Sequence, residues 1–472
     1  MTINKAPTTT KSQSESMPAK SPWPAFWIAC SATFLVSLDT TMLFAAFEAL
    51  RQSFAGTSAA ELSWVLNGYT VVYAAMLIPA GGLADAYGRR RIFRLGLTLF
   101  LVASVACGAA PSVDWLIAAR AFQALGAALL TPASMSIVLA AFPTEKRAVA
   151  VSLWGAVGGL AAAVGPSLGS WVTASAGWPW AFYINLPVGL WALWRSASHI
   201  EEAVKPTERR SVDIVGLLLL MLAVGAIALA IVESGELRWS AQQIAWVGAG
   251  GLLAGTCFVI WARTRTNALI DLSLFQHRTY RYVNGATLVF GTAFSMMFLG
   301  FFFYMTGVWH YTLPQAGLAV TPGPLLVMPT AIITGRLASR LGHRPFLVGG
   351  SLLYALSSLW FFLVPGNEPN YLLHWLPGLL MSGIAVGLVL PSLSAAAVNR
   401  LPVAHYAVGS AVNQATRQIG SVLGVAFTVA LVGHATLQHS DFNAFYLLHG
   451  LLALLTGLLC WPVDTKPRAA QS

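Results

Sequence analysis

The chain of 472 residues is 57% hydrophobic and only 9% charged, with a formal net charge of +10. So little polar surface cannot cover a water-soluble protein of this length, and the composition is that of a polytopic membrane protein. The positive charge is spread over loop ends, where it would face anionic lipid, which weighs against nucleic acid as a partner.

Residues 1–22 are rich in Ser, Thr, Lys and Pro and contain no apolar core or cleavage site, so a disordered cytoplasmic tail is expected there, not a signal peptide. Apolar runs of about 18 residues or more, long enough to cross the hydrocarbon layer as helices, follow at 25–47, 62–82, 92–110, 114–140, 148–174, 178–197, 212–232, 241–262, 282–306, 315–335, 346–365, 372–397, 405–432 and 443–462. They predict an all-α protein with 14 spans. Of the 27 Lys and Arg, only Arg51 and Arg238 fall on one face of this arrangement, and only Arg120 and Arg417 fall inside segments. Basic residues are retained on the cytoplasmic side, so both termini are expected there.

Asp39 is the one carboxylate near the middle of a segment, in the first span. An intramembrane charge costs at least a few kcal/mol and usually serves transport. Asp39 is therefore the candidate proton site, with Arg120 of the fourth segment as its counter-charge; a static bridge fixing the two helices is the competing reading. Glu48 lies on the opposite face of the same helix, as a solvated cap or a contact for a cation.

Between the second and third segments the chain reads GGLADAYGRRR from Gly81 to Arg91, and a degraded copy, GRLASRLGHRP, runs from Gly335 to Pro345. The repeat implies a duplicated bundle. The first six segments end by 197, so the distance to the second copy leaves room for two inserted helices. Small residues Gly81 and Gly88 allow close approach of helix ends, Asp85 can accept backbone hydrogen bonds, and Arg89 and Arg90 anchor the loop at the lipid surface: a conformational latch, or simply a determinant of orientation. The fifth segment carries GAVGGLAAAVGPSLGS, in which Gly165 and Gly169 permit tight packing and Pro166 can bend the helix.

In the second half, Arg417 lies mid-segment beside Asn413 and Gln414 with no carboxylate nearby in sequence, so backbone carbonyls, Asp39 across a cavity or an anionic substrate are its available partners. Aromatic residues suited to flat or amphipathic ligands cluster at Phe44, Phe47, Tyr69, Tyr73 and Phe298, with Asn67 close by. Cys30, Cys107, Cys257 and Cys460 all fall inside segments, which leaves no disulfide or metal pattern. No P-loop, metal set or nucleophile elbow suggests an enzyme.

These motifs together resemble the major facilitator superfamily, in particular its fourteen-span drug:proton antiporter branch. The likeness rests on GGLADAYGRR for the loop, RAFQALGAALLTPA from Arg120, AAAVGPSLGS in the fifth segment, LDTTMLFAAF in the first, WPWAFYINLPVGL from Trp178, ALIDLSLFQHRTY from Ala268 and NQATRQIGSVLGVAF from Asn413. The resemblance implies two six-helix bundles, 23–200 and 281–464, joined through 201–280 with two extra helices and an interfacial stretch, and a tail at 465–472. It further implies alternating access driven by the proton motive force without a cofactor, export of small amphipathic compounds, protons and lipid as the other partners, and residence in the cell's inner (cytoplasmic) membrane. Phe44 and Glu48 stand where that branch commonly has Asn and Pro. A facilitator or importer of a small metabolite, and a receptor without transport, are the alternatives.

Overall fold

Helix starts and stops follow local chemistry. Pro24 sits in the first turn of α1 (Trp23–Ser53), where its missing N–H costs nothing. Ser58 and Glu61 form a reciprocal capping box at the start of α2 (Ala59–Tyr87). Gly88, at φ +96°, ends α2 and turns the chain into α3 (Arg89–Gly108). Its counterpart in the second motif copy, Gly342 at φ +75°, ends a later helix in the same way. Both positions need the left-handed backbone that glycine adopts without strain.

The computed structural model describes residues 21–200, 213–235, 239–265, 268–399, 401, 406–433 and 437–465, with the side chains of a few helical residues, Asp85 among them, outside the described set. Both expected tails fall almost wholly outside these ranges. The first half continues with α4 (Val113–Ala141), α5 (Thr144–Ala176), α6 (Trp180–Tyr183) and α7 (Asn185–His199). Next come α8 (Ile214–Gly235) and α9 (Ala241–Thr264), and then the second half: α10 (Arg278–Phe303), α11 (Leu313–Val320), α12 (Pro322–Leu341), α13 (Arg344–Leu363), α14 (Leu376–Asn399), α15 (Tyr406–Val432) and α16 (Asn443–Cys460).

Every described regular element is helical, and twelve helices among the described residues are long and apolar enough to cross a membrane. The expected fifth and sixth spans are not among the twelve. α5 is rich in Gly, Ala and Ser, and the sixth is broken at Ile184. Pro187 explains the break, because it has no N–H to bond back toward Tyr183. The expected tenth span is likewise divided at Thr321, ahead of Pro322 and Pro324, into α11 and α12. The stretch at 268–280, expected as one interfacial piece, is a short 3₁₀ turn at Leu272–Gln276 followed directly by the start of α10.

α8 lies across the boundary between the halves. It touches α2 on one side and α15 on the other, with Gly225 3.9 Å from Trp64 as judged by a Cβ built at the glycine. At one end Asp213 ties this insertion together: its carboxylate accepts from Gly216 N and Leu269 N at 2.9 Å and from Trp261 Nε1 at 2.9 Å. The two halves meet near the end that carries the α1–α2 loop, through Phe44 on Phe298, Phe47 on Phe303 and a hydroxyl pair, Ser167 with Thr321.

Candidate functional site

α1 delivers Asp39 to the interior of the first half, where it is 2% exposed. The Arg120 guanidinium of α4, 1% exposed, donates from Nη1 to Asp39 Oδ2 at 2.5 Å and to Gln123 Oε1 at 2.6 Å. Its Nε donates to the carbonyl of Val65 on α2 at 3.2 Å. The other carboxylate oxygen, Oδ1, accepts from Gln123 Nε2 at 2.9 Å and Asn185 Nδ2 at 3.0 Å. Gln123 Nε2 also reaches Ser104 Oγ at 2.9 Å. Residues from α1, α2, α3, α4 and α7 therefore converge on one charge pair. Such a pair survives burial because both carboxylate oxygens and the Nε and Nη1 groups of the guanidinium find partners.

Tyr69 of α2 covers the guanidinium, with Arg120 Cζ 3.9 Å from its ring centre. Tyr73 stacks on Tyr69 at 5.9 Å with an interplanar angle of 16°, and its hydroxyl meets Thr131 Oγ1 at 2.9 Å. An aromatic step thus leads from the pair toward the second half. Asn67 is buried without a side-chain hydrogen bond, as are the Tyr69 hydroxyl and Asn185 Oδ1.

α5 uses its two faces differently. Gly165 and Gly169 pack on α1: a Cβ at Gly165 would overlap Thr41, and one at Gly169 would lie 2.8 Å from Met42 Cα. Pro166 lies in this stretch, its carbonyl accepting from Ser170 Oγ at 2.7 Å. The other face, with Gly159, Ala162 and Ala163, borders a cavity of about 110 Å³ lined on its far side by Phe294, Met297 and Phe298 of α10 and by apolar residues of α12 and α14. Its walls are almost wholly hydrocarbon and aromatic.

In the second half, Asn413 donates to Asn284 Oδ1 at 3.1 Å and to Thr287 Oγ1 at 2.9 Å, so this expected cavity residue is bound up in α10–α15 packing. Arg417 gives one hydrogen bond, to Gln414 Oε1 at 3.0 Å, and is partly accessible.

The chain matches the family description Major Facilitator Superfamily over residues 29–425 and again over 283–472. It belongs to that superfamily. As a major facilitator it is a multi-pass transport protein and not an enzyme. It is 32% identical over 399 residues to the multidrug resistance protein Stp of Mycobacterium tuberculosis, covering 83% of this chain and 72% of that protein. It is 29% identical to the methylenomycin A resistance protein of Streptomyces coelicolor, over 92% of this chain and 90% of that one. The multidrug export protein EmrB of Escherichia coli is 28% identical over 87% of this chain. A D-xylose–proton symporter structure superposes with a TM-score of 0.68 at 13% identity over 95% of the chain, and a POT peptide transporter with 0.67 at 17% over 94%. Those two likenesses concern the fold.

In this major facilitator two of the loop residues expected as a latch, Gly81 and Arg90, have described contacts to the first half. Arg90 donates to the carbonyls of Ile200 at 3.3 Å and Ala197 at 3.5 Å, capping the end of α7. Gly81 faces Pro132 of α4, Arg89 begins α3, and the Asp85 side chain lies outside the described residues. Phe44 and Phe47 are buried in the seam between the halves. Glu48 is paired with Arg51 at 2.9 Å near the α1–α2 loop. Sequence reasoning missed Gln123, Asn185 and Ser104. Gln123 carries a signal in hindsight, since it lies three residues after Arg120 and so on the same helix face.

Proposed function

We propose that this major facilitator is a proton-coupled antiporter that exports small amphipathic compounds by alternating access. The observation that carries the reading is the Asp39–Arg120 pair, enclosed at 2.5 Å in the apolar interior of the first half. Protonating Asp39 would strand the Arg120 guanidinium without its counter-charge, a penalty of roughly 3–5 kcal/mol for a buried pair. Proton uptake is therefore tied to a rearrangement that gives Arg120 water or another partner, and the helices holding the pair are the ones that must move. Arg120 and Asp39 act as a unit in which the proton and the helix positions report on one another.

In this reading all fourteen rods cross the inner membrane, both termini are cytoplasmic, and the α1–α2 loop end faces outward. The contacts of Phe44, Phe47 and Ser167 then form a closed outer gate, with the apolar cavity holding the substrate. The names of the relatives, multidrug and methylenomycin resistance proteins, support export of drug-like molecules. The test is substrate-induced proton release in proteoliposomes across cationic, neutral and anionic amphiphiles, with wild type beside Asp39→Asn. Antiport predicts proton flux with at least one compound and its loss in the variant. Substrate movement indifferent to both the pH gradient and Asp39 would make the protein a facilitator.

A further inference from the structure

Arg417 stands near the middle of α15, yet among the described residues it has no carboxylate partner, and Gln414 Oε1 is its one hydrogen-bond acceptor. A guanidinium presents five N–H donors, so most of this one's capacity is unused by the protein. It is also partly accessible, whereas Arg120 is 1% exposed. α15, which carries Arg417, packs against α2 of the other half. Arg417 is therefore carried on a helix at the boundary between the halves.

The apolar cavity is close by. A Cβ on Gly291 of α10 would lie 2.7 Å from the Arg417 carbonyl oxygen. Phe294, one helical turn further along α10, lines the cavity together with Phe298. Three residues of helix rise about 4.5 Å. The cavity wall thus begins one turn along α10 from the point where that helix packs on the Arg417 backbone. The carboxylates of α1 offer no free counterpart: Asp39 is held by Arg120, Gln123 and Asn185, and Glu48 is paired with Arg51. The cavity walls themselves carry no carboxylate.

We propose that Arg417 is the anion-recognition residue of the transport site, and that the preferred substrates are amphiphiles with a compact apolar or aromatic body and one acidic group, such as a carboxylate. This deepens the transport reading above, on which it rests for the site. Gln414 holds the guanidinium in place, and the substrate's carboxylate accepts from its free N–H groups in a paired arrangement.

The experiment is calorimetric binding to the full chain in lipid nanodiscs with three ligands of one shape: 2-naphthylacetate, 2-(2-naphthyl)ethanol and 2-(2-naphthyl)ethylamine. Wild type should bind the acid about tenfold or more tighter than the alcohol and the amine, the range expected of a hydrogen bond to a charged group. Arg417→Gln should bring the acid to the alcohol's affinity while the alcohol's own affinity stays within about twofold. Arg417→Lys should keep part of the preference, because the charge remains and the fork is lost. Wild type that binds the acid no better than the alcohol, or does not bind it, overturns the proposal. So does a glutamine variant that loses acid and alcohol together, which would make Arg417 a packing element. No proton gradient enters this measurement, so the acid preference stands or falls independently of antiport.

Discussion

Each half places one arginine inside an apolar helix, and the two live under opposite conditions. Arg120 of α4 is sealed among Asp39, Gln123, Val65 O and the Tyr69 ring, while Arg417 of α15 has Gln414 alone and some accessible surface. A buried charge is stable either because the protein completes its coordination or because something else does in the working state. In the first half the protein itself completes the coordination; on the proposal above, a ligand completes it in the second.

The sharpest way to break this contrast is to remove each arginine in turn. Arg120→Leu leaves the Asp39 carboxylate buried and unpaired, and a loss of roughly 3–5 kcal/mol is expected, read as a large fall in thermal unfolding temperature in detergent. Arg417→Leu should move that temperature far less, and equal falls would erase the distinction. The double variant Asp39→Leu with Arg120→Leu sharpens the point. Replacing a buried pair by apolar groups is often near neutral, so the double variant should recover most of the stability lost by Arg120→Leu while pH-driven transport stays absent. Recovered transport would show that the pair is merely structural.

A smaller effect is expected for Asn413→Ala in the second half. It removes the donors to Asn284 Oδ1 and Thr287 Oγ1, and leaving such buried acceptors unmet costs about 1–3 kcal/mol. Thermal stability should fall while the affinity for an acidic ligand at Arg417 holds, which separates packing from recognition. The smallest concerns the insertion between the halves. Burial pushes the Asp213 carboxyl up, but the hydrogen bonds from Gly216, Trp261 and Leu269 and the charge of Arg265 together hold it below its ordinary value of 3.8. A carboxyl lowered in the folded state stabilises it above that ordinary value, and the contribution is lost as pH falls through the lower folded value. Hydrogen exchange at residues 213–216 should therefore rise on acidification below about pH 4, and Asp213→Asn should flatten that response.

Twelve of the expected spans were legible because crossing hydrocarbon demands long apolar runs, and Asp39 and Arg120 were legible because a charge inside such a run has few excuses. What the sequence concealed has a common physical cause. Gln123, Asn185 and Ser104 are uncharged, and small polar residues are ordinary in membrane helices. The cavity walls, such as Ala162, Met297 and Val327, have the same chemistry as lipid-facing positions, since lipid and interior are both apolar. The breaks at Ile184 and Thr321 were signalled by Pro187 and Pro322, but prolines also occur within unbroken helices of this chain, at Pro79 and Pro132.

The place of α8 has a mechanical consequence. It bears on α2 and α15 at once with a face of small and aliphatic side chains, including Gly225, Ala228 and Val232. Contacts of that kind are non-directional, so on the alternating-access proposal this face could slide on its neighbours while the gap between the halves widens and narrows beneath it.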